Sequence, residues 1–359
     1  MKSLFLLTFS LTFFLSGCEN ERIIDEVQII ESLGYDMEEN KEVKGTVIYP
    51  TFEEKGKASL KDYTTMSDSY EDILPRMNAK SPYPIEIGKL DFVLFGKEFA
   101  KQGIDGVITN FSRDPFTGSR MQMGIAEFTA AKILLSSKNA NLSFHLSNKI
   151  NHNIESGNLP KMNLHVFTTN LYDEGKDPFL PYLILEEGQI KIDGLALLKK
   201  DKYINHINLS QSFIVKALID GFQNGQYKTE ITQNQKKGFI LLKNLDAKAK
   251  YRVGKSESIP SIFIDLTINA EIAKSPSWYD LDTNKNLLKL EQILNENFNE
   301  EVQRLISLLQ GYKVDPLGLG DKVRAASRNW DYQHFKDVYP DLKTTVHTNV
   351  KILNTGIEE

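Results

Sequence analysis

The clearest pattern in the chain is an unbroken alternation. Ile262, Ile264, Leu266, Ile268, Ala270 and Ile272 recur at every second position, the period of a strand with one buried face. Residues 287–309 follow another rule. Leu287, Leu290, Leu294, Phe298, Val302, Leu305 and Leu309 fall three or four apart, which predicts a long amphipathic helix laid on its own sheet. Gly311, just beyond, is the expected left-handed C-cap. A second helix is expected over 321–335 with Asp321 as N-cap. A last strand is expected over 344–353, with Val346, Val350 and Ile352 on one face.

The earlier part of the chain mixes both periods. Strands are predicted at 45–49, 89–95, 194–198 and 239–253, and a hairpin at 182–192 turns on Glu186-Glu187-Gly188. Helices are predicted at 67–77, 104–111, 142–154, 164–171 and 208–222, and a short one at 97–103 ends on Gly103. Leu33-Gly34-Tyr35-Asp36 is expected to be a turn. Helices and strands alternate irregularly, without βαβ repetition. That pattern predicts a multi-domain α+β fold with mixed or antiparallel sheets flanked by helices. The main boundary is placed after the hairpin, giving regions 18–192, with room for two subdomains, and 193–359.

The first 17 residues read as an address. Lys2 precedes the apolar run 4–15, which is too short to span a bilayer core of about 30 Å and suits a cleaved signal peptide. Leu15-Ser16-Gly17-Cys18 then has the form of a bacterial lipobox. Cys18 is therefore expected to carry S-linked diacylglycerol, with N-acylation (palmitate) as a further option. Two chains on one residue suffice for stable membrane attachment. An ordinary signal peptide followed by a chance cysteine is the competing reading.

Composition narrows the chemistry. With 43 Lys+Arg against 48 Asp+Glu the net charge is −5, so there is no basic footprint for nucleic acid. A single cysteine excludes an internal disulfide framework. Gly318-Leu319-Gly320 lacks the third glycine of a dinucleotide loop, and no phosphate loop occurs. His145, His152, His165, His206, His334 and His347 form no metalloprotease pair, and no nucleophile elbow surrounds a serine. Glu186-Glu187 and Glu300-Glu301 read as solvated acids, and Arg113-Asp114 as a local pair or turn cap. The expectation is a non-enzyme with no catalytic residues, no cofactor and no metal.

Several segments resemble one family in order and spacing. After Cys18 come Arg22, Ile24 and Asp25, although Glu19 stands where the family has Trp, Asn20 where it has an acid, and Ile23 where it has Glu. Then follow Leu33-Gly34-Tyr35-Asp36, the run 95–104 (FGKEFAKQGI), Arg113-Asp114 and the run 192–197 (IDGLAL). The end is the most specific part: Asp315-Pro316-Leu317-Gly318-Leu319-Gly320, Trp330, and a strand closing at Asn354-Thr355-Gly356. The chain resembles the Ger(x)C spore germination lipoproteins, the C subunits of nutrient germinant receptors. The resemblance implies a lipid-anchored protein on the outer face of the spore inner membrane. It implies the integral-membrane A and B subunits as partners, a multi-domain α+β fold, and Cys18 as the one residue whose role carries over. A solute-binding lipoprotein of a transporter is the alternative, and it calls for two α/β lobes around a cleft. An exported hydrolase would need clustered acid, base and nucleophile groups.

Overall fold

Both periods in the sequence become layers of the structure. The computed structural model describes residues 27–52, 58–139, 145–233, 235–254 and 260–355. Cys18 and the apolar run before it lie outside the described residues, as does Leu142 of the expected helix 142–154.

The chain begins with β1 (Gln28–Ile29), β2 (Ser32–Met37), β3 (Val43–Phe52) and β4 (Ala58–Ser67). Helix α1 (Ile73–Lys80), β5 (Ile85–Glu86), β6 (Phe92–Gly96), α2 (Lys97–Gln102) and α3 (Asp105–Arg113) follow. Next come β7 (Gln122–Ala126), α4 (Ala130–Asn139), α5 (His145–Glu155) and α6 (Leu164–Tyr172). The hairpin β8 (Phe179–Glu186) and β9 (Gln189–Lys199) continues into β10 (Lys202–Asn208) and α7 (Leu209–Ile219). The last third holds β11 (Phe222–Gln233), β12 (Lys236–Gly254), β13 (Ser261–Lys274) and α8 (Asn284–Tyr312). It ends with α9 (Leu319–Ala326), α10 (Tyr332–Val338) and β14 (Lys343–Asn354). Among the described helices none is long and apolar enough to cross a membrane.

Eight strands form the first sheet in the order β10-β9-β8-β7-β6-β2-β3-β4, and four form the second, β11-β12-β13-β14. The centre of the first sheet, β8-β7-β6-β2, is parallel, and antiparallel hairpins flank it on both sides. Its inner strands β6 (FVLFG) and β7 (QMGIA) are buried throughout, as parallel strands covered on both faces should be. The fold is α+β with mixed sheets, and parallel crossovers occur in both sheets. Strand β9 runs through residues 192–193, so the first sheet extends past the boundary placed there and takes in β10 as well.

Four local expectations are corrected by packing. Residues 33–36 are not a turn but the middle of β2. A Cβ on Gly34 would sit 2.8 Å from Leu134 and 2.9 Å from Ala130, so this glycine lets α4 press onto the strand. The Asp36 carboxylate then accepts the Ala130 and Ala131 amides at 2.6 and 2.9 Å, capping the same helix. Helix α8 runs through Gly311, and the left-handed residue is Lys313 (φ 56°). Val314 is fully buried, and its amide donates to Leu309 O at 3.1 Å, so Val314 sets where the chain turns. The helix expected over 321–335 is two helices. Gly318 (φ 69°) begins the first, and Asp331 caps the second through the Gln333 and His334 amides at 2.8 and 3.1 Å. The helix expected from residue 67 starts at Ile73, because β4 continues to Ser67.

Helix α8 also seals the edge of the second sheet. The amides of Thr348, Val350 and Ile352 on β14 donate to Asn299 Oδ1, Asn295 Oδ1 and Glu291 Oε1 at 2.7, 2.6 and 2.8 Å. Four helical residues rise about 6 Å and two strand residues about 6.6 Å, so the two ladders stay in step. An edge strand is thereby closed to further pairing. Replacing Asn295 and Asn299 together by alanine should cost about 1–3 kcal/mol per orphaned amide, and raise self-association. Glu296→Ala, on the exposed side, should change stability by under about 0.5 kcal/mol. Urea unfolding and sedimentation of the two variants check this.

Candidate functional site

Three chain segments converge where the two halves meet: the loop 173–177 between α6 and β8, the end of β9, and the segment 313–320 after α8. Asp177, 6% exposed, stands at the centre. Its Oδ2 accepts the Asp315 amide at 2.8 Å and the Lys199 ammonium at 2.9 Å, and its own amide donates to Asp315 O at 2.9 Å. Asp315, 4% exposed, turns one carboxylate oxygen to the Gly320 amide at 2.8 Å, at the start of α9. Its other oxygen has no hydrogen-bond partner.

The motif 315–320 acquires a physical reading from this geometry. Asp315 supplies the acceptor for the start of α9, and Gly318 supplies the left-handed step. At Gly320 a Cβ would lie 2.7 Å from Gly175 O, so two glycines let the loop and the helix touch. The Asp321 amide donates to Gly175 O at 3.1 Å, and Arg324 bridges Asp321 and Asp173 at 2.8 and 3.1 Å. Tyr339 closes the floor, its hydroxyl donating to Val314 O at 2.7 Å.

Electrostatics set the protonation of this junction. Burial pushes the Asp315 carboxyl up to about 7; the Gly320 and Leu319 amides pull it down, and nearby Asp177 adds to the rise. Burial also holds the Lys176 ammonium below its ordinary value, against the pull of Asp220, Asp315 and Asp321. A cavity of about 290 Å³ lies on one side, lined by Lys176, Asp177, Asp315, Tyr332, Phe335 and Tyr339 among others. A second of about 330 Å³ lies across the loop and shares Glu174, Lys176, Asp177 and Tyr332. The arrangement joins chain segments through buried acceptors. No group of three or more His, Cys, Asp or Glu among the described residues is placed to hold a metal.

The other residues singled out in the sequence take local roles. Asp114 accepts the Phe116 amide at 2.7 Å, the turn cap expected of Arg113-Asp114. Glu186 pairs with Lys191 at 2.8 Å and Glu300 with Arg304 at 3.6 Å, while Glu301 accepts the Tyr227 hydroxyl. His206 stacks on Tyr182 with ring centroids 4.2 Å apart. Asp177 and Lys176 were not singled out, because a charged, glycine-containing loop reads as solvated surface. The repeated acids around Gly175 were the available signal.

The fold and junction define an α+β protein of two large sheets, with β1 and β5 paired as a short third, whose halves meet on buried carboxylates. The chain belongs to the Ger(x)C family of spore germination proteins. Residues 20–185 match the spore germination protein N-terminal domain, and residues 193–356 match the spore germination B3/GerAC-like C-terminal domain. Spore germination protein GerQC of Bacillus cereus is 26% identical, over 97% of this chain and 98% of that protein. Spore germination protein KC of Bacillus subtilis is 20% identical, over 96% and 93%. The crystal structure of the GerBC protein shares the fold, with a TM-score of 0.59 at 17% identity over 90% of this chain and 97% of that one.

The sign of the Asp315 shift yields a pH dependence. An unfolded aspartate titrates near 3.8, whereas the folded group keeps its proton to about 7. Between these values the folded state binds more protons, so stability falls as pH rises, by at most about 1.4 kcal/mol per pH unit. Above that window the effect is flat. Asp315→Asn keeps an acceptor for Gly320 and should lose this slope. Urea unfolding from pH 4.5 to 8 checks it, and equal slopes in both proteins would count against the assignment.

Proposed function

We propose that this chain is the C subunit of a nutrient germinant receptor, required for receptor assembly and signalling during spore germination. It is tethered by diacylglycerol on Cys18 to the outer face of the spore inner membrane. It works there beside the integral-membrane A and B subunits, by contact and without a catalytic step. The carrying observation is that the two family matches run from residue 20 to residue 356, with the lipobox cysteine directly ahead of them.

The physics supports this arrangement. Two acyl chains on one residue give lasting attachment, whereas a single chain gives marginal binding. A tether of this kind confines the body beside its partners and raises their effective concentration without a strong interface. The transporter alternative requires two lobes hinged about a cleft. Here β9 and β10, beyond the N-terminal family match, complete the first sheet and run directly into α7.

Cys18→Ala tests the reading. The variant should lose membrane attachment, and its spores should respond to nutrients no better than spores without the chain. Intact mass of the native protein should show a diacylglyceryl thioether on Cys18. An unmodified thiol there, or normal nutrient germination in the variant, would overturn the proposal.

A further inference from the structure

The described chain starts at the end of the first sheet from which its parallel strands depart. The Gln28 amide donates to Pro84 O at 2.8 Å, and Ser81 Oγ donates to Gln28 Oε1 at 2.8 Å. Glu31 O accepts the Asp91 amide at 3.1 Å, and Asp91 O accepts the Gln122 amide at 2.8 Å. The beginnings of β2, β6 and β7 thus lie side by side, next to the point where the chain arrives from Cys18.

Two loops at this end hold aromatic rings out to solvent. Tyr83, between Pro82 and Pro84, is 47% exposed, and Phe116, after Pro115, is 72% exposed. Neither loop is loose. Ser81 Oγ bonds Gln28 and Tyr83 O, and Asp114 accepts the Phe116 amide through its side chain and the Thr117 amide through its carbonyl at 3.2 Å. Both rings are thus held out to solvent by fixed turns at the same end of the sheet.

Charge identifies what this end meets. Lys89, Arg113 and Arg120 stand in or beside these loops, all exposed and none in an ion pair among the described residues, while the exposed Lys80 turns its ammonium to Thr65 Oγ1 at 3.3 Å. The loops' own acids, Glu86 and Asp114, are half-buried and partnered. In a chain of net charge −5 this is a local excess of cations. Aromatic rings at the boundary of water and hydrocarbon, with unpaired cations beside them, match an anionic lipid surface.

We propose that this end of the first sheet rests on the membrane that holds the tether. Tyr83 and Phe116 enter the headgroup layer, and Lys89, Arg113 and Arg120 lie against anionic headgroups. The inference rests on the lipid-anchor reading of Cys18. Residues 19–26 separate Cys18 from the first described residue, and fully extended they reach about 30 Å. The chain from Cys18 thus enters the fold at this end, which meets the lipid with the shortest tether.

The native chain has one cysteine, so an introduced thiol is the single reactive one when Cys18 is lipidated. Tyr83→Cys, Phe116→Cys and, as a control at the opposite end of β6 and β7, Phe128→Cys are made in the full lipidated chain. Phe128 is 62% exposed, its carbonyl accepts the Lys97 amide just after β6, and the Lys97 and Lys132 ammonium groups lie 5.5 and 5.6 Å from its ring centroid, so it matches Tyr83 and Phe116 in chemistry and differs in its end of the sheet. Each is nitroxide-labelled and placed in vesicles of phosphatidylglycerol and phosphatidylcholine. Labels at 83 and 116 should be accessible to oxygen and shielded from a water-soluble nickel complex, with the reverse at 128. Lys89→Glu with Arg120→Glu should return position 116 to the accessibility of position 128, as should vesicles of phosphatidylcholine alone. Equal nickel accessibility at 83, 116 and 128 overturns the proposal. Shielding that appears only with the A and B subunits present also overturns it, in favour of a protein face. Two nitroxides per chain and no vesicle flotation mark failure of the anchor itself, a result distinct from failure of the face.

Discussion

The Asp177 carboxylate is the group on which the arrangement of the two halves depends. It belongs to the first sheet by position, two residues ahead of β8, yet it accepts the backbone amide of Asp315 from the other half. Asp315 in turn accepts the Gly320 amide, so a chain of acceptors runs from the sheet through the loop to α9. None of these amides faces water, so a lost acceptor would leave a buried donor unpaired rather than rehydrated. Two carboxylates this close and this dry cannot both hold full charge cheaply. Lys199 pairs with one of them, and burial pushes the carboxyl of the other, Asp315, up to about 7.

Sequence reasoning worked where one environment acts along a whole element. The alternation 262–272 and the stripe 287–309 each record a single buried face, and both elements stand where the pattern put them. It failed where the deciding partner is distant in sequence. Gly34 beside Asp36 has the look of a turn, and nothing nearby shows that Ala130 and Leu134 press on it. Glu291, Asn295 and Asn299 read as the wet flank of a helix, although each holds a strand amide. Strands β10 and β11 went unread because edge strands carry a weak apolar signal. In β11 the inward positions are Tyr227, Thr229 and Ile231, and the threonine breaks the hydrophobic run. The junction was half legible: resemblance singled out 315–320, while the loop carrying Asp177 gave no sign that its charges are buried.

Attraction and orientation come from different forces in this molecule. Helix α7 lies between the two sheets with Ser212–Leu218 buried, and that burial draws the halves together without direction. Direction comes from polar groups along the helix. Ser212 Oγ donates to Asn158 O at 2.9 Å on the side of the first sheet, and the Tyr251 hydroxyl of β12 donates to Leu218 O at 2.9 Å. Lys216, 7% exposed, pairs with Asp220 at 3.1 Å, and Asp220 also accepts the Lys161 amide at 2.7 Å.

A greasy seam tolerates sliding, because one apolar contact replaces another at little cost. A joint built on Asp177, Asp315 and Lys216 does not, since each displaced charge or amide would be stranded away from water. In such a joint the relative orientation of the two halves is set by named polar contacts and not by apolar area alone. Buried charge, a costly material for stability, fixes orientation at the junction of the halves just as Asp36, buried in β2, fixes α4 on the first sheet.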